Sequence, residues 1–229
     1  MRSAFAFRSA IATSLLVLIY LSAGSVACAS ILARWTFETS IPTTAGPHTA
    51  EGGINAATSS ALGSHAAATT YSNPAGNGSV ESFSSNNWSI GDYYQFQTST
   101  VGFENIVLTW DQTRSSTGPS GFDLLYSVDG TNFVSFFSYV VPAVGWSALA
   151  ADGTGTTSFS SDLSAIAALD NTVDVYFRLS ATSAPSSAAG TNRVDNFTIG
   201  TAVPEASTFL VWSMLCGSVL VGWKRARDF

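Results

Sequence analysis

The hydrophobic and polar positions between residues 30 and 202 follow the two-residue period of β-strands. The clearest example is VDVYFRL (173–179), in which apolar residues alternate with Asp174, Tyr176 and Arg178. The same reasoning predicts strands at ILARWTF (31–37), DYYQFQT (92–98), ENIVLTW (104–110) and NRVDNFTI (192–199). Each of these strands has one apolar face that must be buried against another layer.

The segments between these strands also favour an all-β fold. Residues 121–140 predict a hairpin around Asp129-Gly130, a favoured turn pair. LSAIAAL (163–169) is the one helix-like piece, and residues 39–87 are rich in small and polar types, which predicts long loops with one or two weak strands. Many short strands without βαβ alternation predict an antiparallel, jelly-roll-like β-sandwich.

The N-terminus has the layout of an export signal. Arg2 and Arg8 precede the apolar run IATSLLVLIYL (11–21), and Ala27-Cys28-Ala29 places small residues before Ser30. This order predicts a signal peptide at residues 1–29. A lipoprotein signal ending at Cys28 and an uncleaved anchor are the alternatives.

The C-terminus combines an uncharged run with a basic cluster. The run covers residues 206–223, and Lys224, Arg225 and Arg227 follow it. As a helix it would be about 27 Å long, close to the ~30 Å of a bilayer core. The basic cluster is expected on the cytoplasmic side. The alternative is a buried helix at the end of a soluble domain.

The order of parts in residues 203–229 resembles the PEP-CTERM sorting signal of bacterial surface proteins, which has a Pro-Glu-Pro-type motif, a membrane span and a short Arg-rich end. The matching residues are Val203, Pro204, Glu205, Ser207 and Thr208, and Ala206 stands where the family usually has proline. The resemblance implies an exosortase, a membrane protease-transpeptidase of exopolysaccharide-producing Gram-negative bacteria, as a partner. It implies cleavage near Pro204-Glu205 after export.

The middle of the chain resembles secreted bacterial β-sandwich domains of the jelly-roll, carbohydrate-binding-module-like kind. The motifs that carry this resemblance are WTFE (35–38), RSSTGP (114–119), FDLLYSVDGTNF (122–133) and TNRVDNFTI (191–199). It implies a fold for residues 30–202, and it identifies no ligand because such sandwiches have many functions.

The charge of residues 30–202 argues against nucleic-acid binding, and the positions of the cysteines exclude a disulfide within this region. Residues 30–202 contain four arginines, no lysine and thirteen acids, a formal charge of −9. Such a surface repels nucleic acid. Cys28 and Cys216 both lie outside this region, so packing rather than a disulfide must hold the domain.

Catalytic motifs are absent from the sequence. The two histidines, His48 and His65, lie in the loop-rich segment, and no H-E-x-x-H, G-x-S-x-G or paired cysteine occurs. The sequence therefore predicts no enzyme activity. A glycoside hydrolase that uses two of the acids is an alternative.

Two acids are candidates for a structural calcium ion. Glu38 follows the first strand and Asp195 lies in the last, and terminal strands of a sandwich are often neighbours. The alternation places Asp195 on the same face as Phe197 and Ile199, which is unfavourable for an unpaired carboxylate. The alternatives are an ion pair with Arg34 or Arg193, or simple exposure. No other cofactor is predicted.

Tyr93 and Tyr176 are candidates for glycan binding, because both lie opposite the apolar face of their strand. Ordinary surface tyrosines would show the same pattern. Taken together, the sequence predicts a non-enzymatic exported protein, first anchored in the inner membrane and then placed at the cell surface or in an extracellular matrix with exopolysaccharide. The alternatives are a carbohydrate-binding module with a specific glycan site and a cryptic glycoside hydrolase.

Overall fold

The computed structural model describes residues 30–146 and 157–202, and residues Ser30–Ala202 form one compact unit. The predicted signal peptide (1–29) and sorting signal (203–229, with the span at 206–223) lie outside the described residues. Within residues 30–146 and 157–202, no helix has the length and apolar character needed to cross a membrane.

One of the two sheets, sheet A, has a long central strand. Its strands are β1 (Ile31–Trp35), β4 (Tyr71–Ser72), β5 (Phe83–Ser85), β7 (Ile106–Arg114), β10 (Ser158–Asp162) and β12 (Asn192–Thr201). The order is β10-β7-β12-β5-β4, and β1 also pairs with β12. Strand β12 is therefore flanked by β7 on one side and by β1 and β5 on the other.

The other sheet, sheet B, is a six-stranded sheet with the order β2-β3-β6-β11-β8-β9. These strands are β2 (His48–Thr49), β3 (Ser60–Ser64), β6 (Tyr93–Thr98), β8 (Gly121–Ser127), β9 (Val134–Val140) and β11 (Val175–Ala181). Every strand pairing in the two sheets is antiparallel. The prediction of an all-β antiparallel sandwich is confirmed.

Two predictions of local structure are confirmed only in part. The helix-like piece at 163–169 is mostly irregular and contains one 3-10 helix, Ala167–Leu169; the other 3-10 helix is Ala56–Thr58. Residues 39–87 contribute four strands, β2 to β5, and supply the fully buried Phe83. Their small side chains gave a weak strand pattern, but pairing with β6 and β12 determines their structure.

The centre of the core is an aromatic contact between the two sheets. Phe96 of sheet B stacks on Phe197 of sheet A with ring centroids 3.6 Å apart, and Trp35 meets both rings edge-on at 5.2 and 6.2 Å. Each such side chain contributes about 1.5–3 kcal/mol by burial. The buried hydrophobic cluster draws its members from residues 32–199, so we expect residues 30–202 to fold as an independent domain.

A half-buried carboxylate organises the turn after β1. The backbone there passes through Phe37, whose φ of 58° is uncommon for a bulky residue. Glu51 accepts hydrogen bonds from the Thr36 hydroxyl and from the amides of Thr39 (2.6 Å) and Ser40 (2.7 Å). Burial alone would raise the pKa of Glu51, but these hydrogen bonds lower it to about 2. The ionised Glu51 therefore fixes this turn at neutral pH.

A bulge in β12 changes which face of the sheet an acid occupies. The register of β12 against β7 shifts at Asn196, which has a φ of 50°. Asp195 lies directly opposite Asp111 on the outer side, whereas Phe197 points into the core. The predicted shared face of Asp195, Phe197 and Ile199 is wrong, because the extra residue breaks the two-residue alternation.

Candidate functional site

The outer face of sheet B is the main candidate site, because it presents aromatic, amide and charged side chains from several strands. The pairing between neighbouring strands brings one residue from each of five strands into a row across the centre of this face. That row consists of Leu62, Gln95, Arg178, Leu125 and Ser135. Alternation brings the members of the row to the same side, so one ligand could contact all of them.

Arg178 is the centre of this face. Its guanidinium carbon lies 3.8 Å from the ring centroid of Tyr93 and 3.5 Å from that of Phe133. Its Nε donates to Oε1 of Gln95 at 2.8 Å, and no residue in the described ranges bonds to either Nη atom. Burial against the rings lowers the pKa of Arg178, and the charge of Tyr93 opposes this. The two rings thus hold the guanidinium in place with its Nη donors available to a ligand.

Next to Arg178, a second group of polar side chains surrounds Tyr176. Gln97 donates to Oδ1 of Asp174 at 2.6 Å. The Tyr176 ring rests against Gly130, where a Cβ would be only 3.1 Å from the ring, and Gly130 also has a φ of 71°. Burial raises the pKa of Tyr176, and the charges of Asp174 and Asp129 add to this. The turn at Asp129-Gly130 therefore packs against the Tyr176 ring and helps to fix its position.

This combination of groups is suited to sugars. The C–H faces of a sugar pack on aromatic rings, and its hydroxyls bond to amides, carboxylates and guanidinium donors. Tyr93 and Tyr176 both lie on this face, half-buried, and Arg178 covers one side of the Tyr93 ring. Their role in glycan binding stays a prediction. Sequence reasoning missed Arg178 and Gln95 as a pair, although the alternation pointed both outward; Phe133 required the hairpin geometry.

The outer side of sheet A offers a second, weaker candidate. An open pocket of about 310 Å³ is lined in part by Thr109, Asp111, Ser160 and Asn196. Its polar groups bond to one another: the Asp111 carboxylate accepts from the Ser158 hydroxyl at 2.6 Å and from the Asn196 amide at 2.8 Å. Fewer of its donors and acceptors are therefore available to a ligand.

Asp195 is fully buried beside this pocket. It accepts hydrogen bonds from the Asn77 amide and the Ser79 hydroxyl, both at 2.7 Å, and burial raises its pKa to about 6. In residues 30–146 and 157–202 it makes no ion pair with Arg34 or Arg193. The alternatives of an ion pair or simple exposure are therefore wrong, because residues 73–81 cover the carboxylate.

The surroundings of Asp195 fit a hard cation in part. A Cβ placed on Gly76 would fall on three oxygen atoms: Oδ2 of Asp195, the carbonyl of Glu81 and the hydroxyl of Ser79. Oε1 of Glu38 accepts the Glu81 amide at 2.8 Å, so both predicted ligands contact this loop. No three acidic, histidine or cysteine side chains are arranged for a metal in the part of the chain that the structure describes. A calcium ion would therefore also need the carbonyl and hydroxyl oxygens.

A serine, a histidine and an aspartate meet in the interior of the sandwich. Ser85 Oγ lies 3.1 Å from His65 Nε2, and His65 Nδ1 lies 3.0 Å from Asp92 Oδ2. His65 Nδ1 is not aligned for a hydrogen bond, and the Ser85 hydroxyl also contacts the Tyr94 hydroxyl at 2.8 Å. Ser85 is 1% exposed, and burial lowers the pKa of His65. A substrate cannot reach this hydroxyl in the structure, so the arrangement is a packed polar cluster.

No protein-family model matches the chain, and no curated protein matches it. Several solved structures are similar to it. The K1 cleaved adhesin domain of Lys-gingipain from Porphyromonas gingivalis W83 is 15% identical, with 74% of this chain and 97% of that chain covered and a TM-score of 0.44.

Two further solved structures contain binding modules. The CBM22-1-GH10 modules of xylanase 10B from Clostridium thermocellum, complexed with xylohexaose, are 14% identical (76% and 29% covered, TM-score 0.45). A structure described as a carbohydrate-binding module of the β-sandwich superfamily is 11% identical (76% and 63% covered, TM-score 0.41). Identities and TM-scores at this level identify no ligand, so the fold and the site are described from this chain's own strands.

Proposed function

We propose that residues 30–202 form a non-enzymatic polysaccharide-binding module of an exported surface protein, with the glycan on the outer face of sheet B. The observation that carries this proposal is the position of Arg178. Its guanidinium is held between Tyr93 and Phe133, and its Nη donors have no partner among the described residues. An ordered and unpaired cation on a face with aromatic rings and amides is suited to binding sugar hydroxyls.

The charge of the domain selects the type of polysaccharide. Four arginines against thirteen acids give residues 30–202 a formal charge of −9. Asp123 and Asp174 lie on or beside the proposed face. An acidic polysaccharide would be repelled at low ionic strength. The proposed ligand is therefore a neutral polysaccharide.

A glycan array with the 30–202 fragment tests this proposal. We expect binding to one or more neutral polysaccharides, and at least tenfold weaker binding for Tyr176→Ala and Tyr93→Ala. The matched control is Thr109→Ala, which changes an exposed residue of sheet A and should leave binding unchanged. Loss of binding for Thr109→Ala alone would instead assign the ligand to the pocket of sheet A.

The same fragment also tests the alternative that the protein is a glycoside hydrolase. Incubation with each bound polysaccharide should release no reducing ends, because a binding module holds its ligand without cleaving a glycosidic bond. Measurable turnover that is lost on substitution of Asp111 would favour the hydrolase.

The proposal for export and sorting rests on residues 1–29 and 203–229. The signal peptide directs export, an exosortase recognises the Pro204-Glu205 motif, and the mature protein joins an extracellular polysaccharide matrix. Mass spectrometry of the mature protein from an exosortase-positive host should show an N-terminus at Ser30 and cleavage near Pro204-Glu205. A chain that still ends at Phe229 would overturn the cleavage.

A structural calcium ion at Glu38 and Asp195 is a separate proposal, supported by the three oxygen atoms around Gly76. The residues would supply hard oxygen ligands, and the ion would tie residues 73–81 to β12. A chelator should lower the melting temperature of the 30–202 fragment, and excess calcium should restore it, because a ligand that binds only the folded state stabilises it. Asp195→Asn should abolish the response. An unchanged melting temperature in chelator would exclude the ion.

A further inference from the structure

Strand β9 is an unprotected edge of sheet B. The sequence of Val134–Val140 is VSFFSYV, with no charged residue, proline or glycine. One side of β9 pairs with β8, and no described residue forms a backbone pair with its other side. Edge strands of stable monomers are usually short, charged or covered, because open N–H and C=O groups pair with other chains. Strand β9 has seven residues, carries no charge and is not covered on its open side by any segment that the structure describes.

The other sheet edges in the described ranges are short, charged or covered. The side of β1 that faces away from β12 is covered by residues 52–55, which form backbone hydrogen bonds with Ile31, Leu32 and Arg34. Strands β2 and β4 contain two residues each. Strand β10 has five residues and ends in the exposed Asp162. The free groups of the sandwich are thus concentrated on β9, where Val140 is 71% exposed and Phe136 is 38% exposed.

We propose that two copies of this domain associate edge to edge through Phe136–Val140 of β9, with Ser138 on the two-fold axis. Antiparallel pairing about an axis perpendicular to the sheet keeps the two outer faces on the same side. Each residue i of one copy then lies opposite residue 276 − i of the other copy, so that Ser138 lies opposite itself. In this register Phe136 faces Val140 of the second copy on the outer side, and Phe137 faces Tyr139 of the second copy on the inner side.

The bulge in β9 selects this register. The pairing with β8 skips Phe136, so the alternation of faces changes between Ser135 and Phe137. Residues Phe136–Val140 alternate regularly, with Phe137 and Tyr139 packed against the core. In a register centred on Ser138, apolar residues meet apolar residues on both faces, which is the favourable cross-strand combination. In a register centred on Phe137, the outward Ser135 of one copy would instead lie opposite the inward Tyr139 of the other copy.

Strand β9 has no charged residue that would oppose a second copy at this edge. The domain carries −9, so most of its surfaces repel one another. Asp123 of β8 lies against this edge and accepts a hydrogen bond from the Ser138 hydroxyl at 2.5 Å. In the proposed dimer the backbones of the two Asp123 residues are three strand spacings apart, about 14 Å, and both carboxylates lean towards the Ser138 axis. Their repulsion is screened in part at physiological salt, where the Debye length is ~8 Å, and no charged residue lies in β9 itself.

Five paired residues form a small interface, below the ~1,200 Å² of stable complexes, so the dimer is weak and depends on concentration. Its consequence for binding is larger. The two six-stranded sheets become one twelve-stranded sheet, and both Arg178 residues lie on the same side. A long polysaccharide could then bind both copies, which raises the apparent affinity without new contacts.

Sedimentation velocity of the 30–202 fragment between about 10 and about 500 µM tests the association. We expect the average mass to rise towards twice the monomer mass. Val140→Lys should keep the fragment monomeric throughout, because it places a cation on the edge. Val173→Lys is the matched control, since Val173 is 70% exposed, is not part of β9 and receives the same charge. A monomer at every concentration, or equal effects of the two lysines, would overturn the proposal.

A disulfide trap tests the register. Cys28 and Cys216 lie outside residues 30–202, so a single added cysteine is the only thiol of the fragment. Under mild oxidation, Ser138→Cys should give a covalent dimer at least tenfold faster than Ser72→Cys, which adds an exposed cysteine to β4. Equal rates would show that Ser138 is not opposite its own copy and would reject this register.

Discussion

Polar residues on the outer side of sheet A are covered by loops, whereas Arg178 on the outer side of sheet B is open to a ligand. On sheet A, loops cover the polar groups: Asp195 is fully buried and bonded to Asn77 and Ser79. On sheet B, Arg178 remains half-exposed with Nη donors that no described residue occupies. Covered polar groups hold loops in place, whereas open and ordered ones are available to a ligand. We therefore expect the polar residues on the outer side of sheet A to contribute to stability, and those on the outer side of sheet B to contribute to the proposed binding.

The largest expected effect is on stability, at the loop that covers sheet A. Gly76→Ala would place a Cβ on three oxygen atoms, two of which belong to Asp195 and Ser79. We expect a loss of about 3 kcal/mol in the free energy of unfolding, because the backbone there cannot move aside easily. Urea denaturation of the 30–202 fragment measures it.

The control for this prediction is Gly78→Ala in the same loop. Gly78 has a φ of 77° and open space around the added Cβ, so only about 1 kcal/mol should be lost. Comparable losses for the two variants would mean that the oxygen cluster around Gly76 is not tightly packed.

The second prediction concerns pH. Burial raises the pKa of Asp195 to about 6, so between pH ~4 and ~6 the folded state holds a proton that the unfolded state has released. Stability from this group therefore falls as pH rises through that window, by about 2–3 kcal/mol. Burial lowers the pKa of His65, which gives the opposite slope below pH ~6.5.

Because Asp195 and His65 contribute opposite pH slopes, the effect of Asp195 is best measured as the difference in the free energy of unfolding between wild type and Asp195→Asn. Measured in chelator from pH 4 to pH 7, the free energy of unfolding of wild type should decline relative to that of the variant. A difference that does not change with pH would mean that Asp195 is already ionised at pH 4.

The third prediction separates the two arginine environments. Arg114 donates through Nε to the Val141 carbonyl at 2.9 Å and through Nη1 to three further carbonyls, so it holds loops together. Arg114→Gln should cost about 1–3 kcal/mol of stability and leave glycan affinity unchanged. Arg178→Gln should weaken glycan binding at least tenfold and cost about 1 kcal/mol or less in stability.

Denaturation curves and affinity electrophoresis on the two variants complete this test. If Arg178→Gln lowers stability and Arg114→Gln lowers affinity, the assignment of roles to the two sheets is reversed.

The smallest effect is expected from the hydroxyl of Tyr176. Tyr176→Phe keeps the ring that packs on Gly130, so glycan affinity should stay within about threefold of wild type. Tyr176→Ala removes the ring and should lose most of the affinity. Equal losses in isothermal titration would show that the hydroxyl, rather than the ring, contacts the sugar.

The sequence was sufficient for the parts of the fold that follow simple alternation. The strands containing Phe96 and Phe177 were predicted because alternate residues face the core. The failures have physical causes. The bulge at Asn196 inverted the face of Asp195, and residues 39–87 form strands through pairing with distant partners rather than through their own composition.

The candidate site could be predicted only in part for a related reason. Tyr93 and Tyr176 were identified because alternation shows which side chains point outward. Arg178, Gln95 and Phe133 meet only once the register between β6 and β11 and the fold of the hairpin are known. Cross-strand neighbours are far apart in the chain, and a single sequence contains no direct measure of register.

The position of β12 has a mechanical consequence. Strand β12 runs from Asn192 to Thr201, so tension applied at its C-terminal end acts along the strand. Hydrogen bonds in antiparallel ladders run perpendicular to the strands, so the load shears them together instead of opening them one at a time. Eight residue pairs with β7, together with the pairs to β1 and β5, would share that load. If the domain holds a polysaccharide on sheet B as proposed, β12 would therefore resist extraction under tension between that ligand and the C-terminal end of the strand.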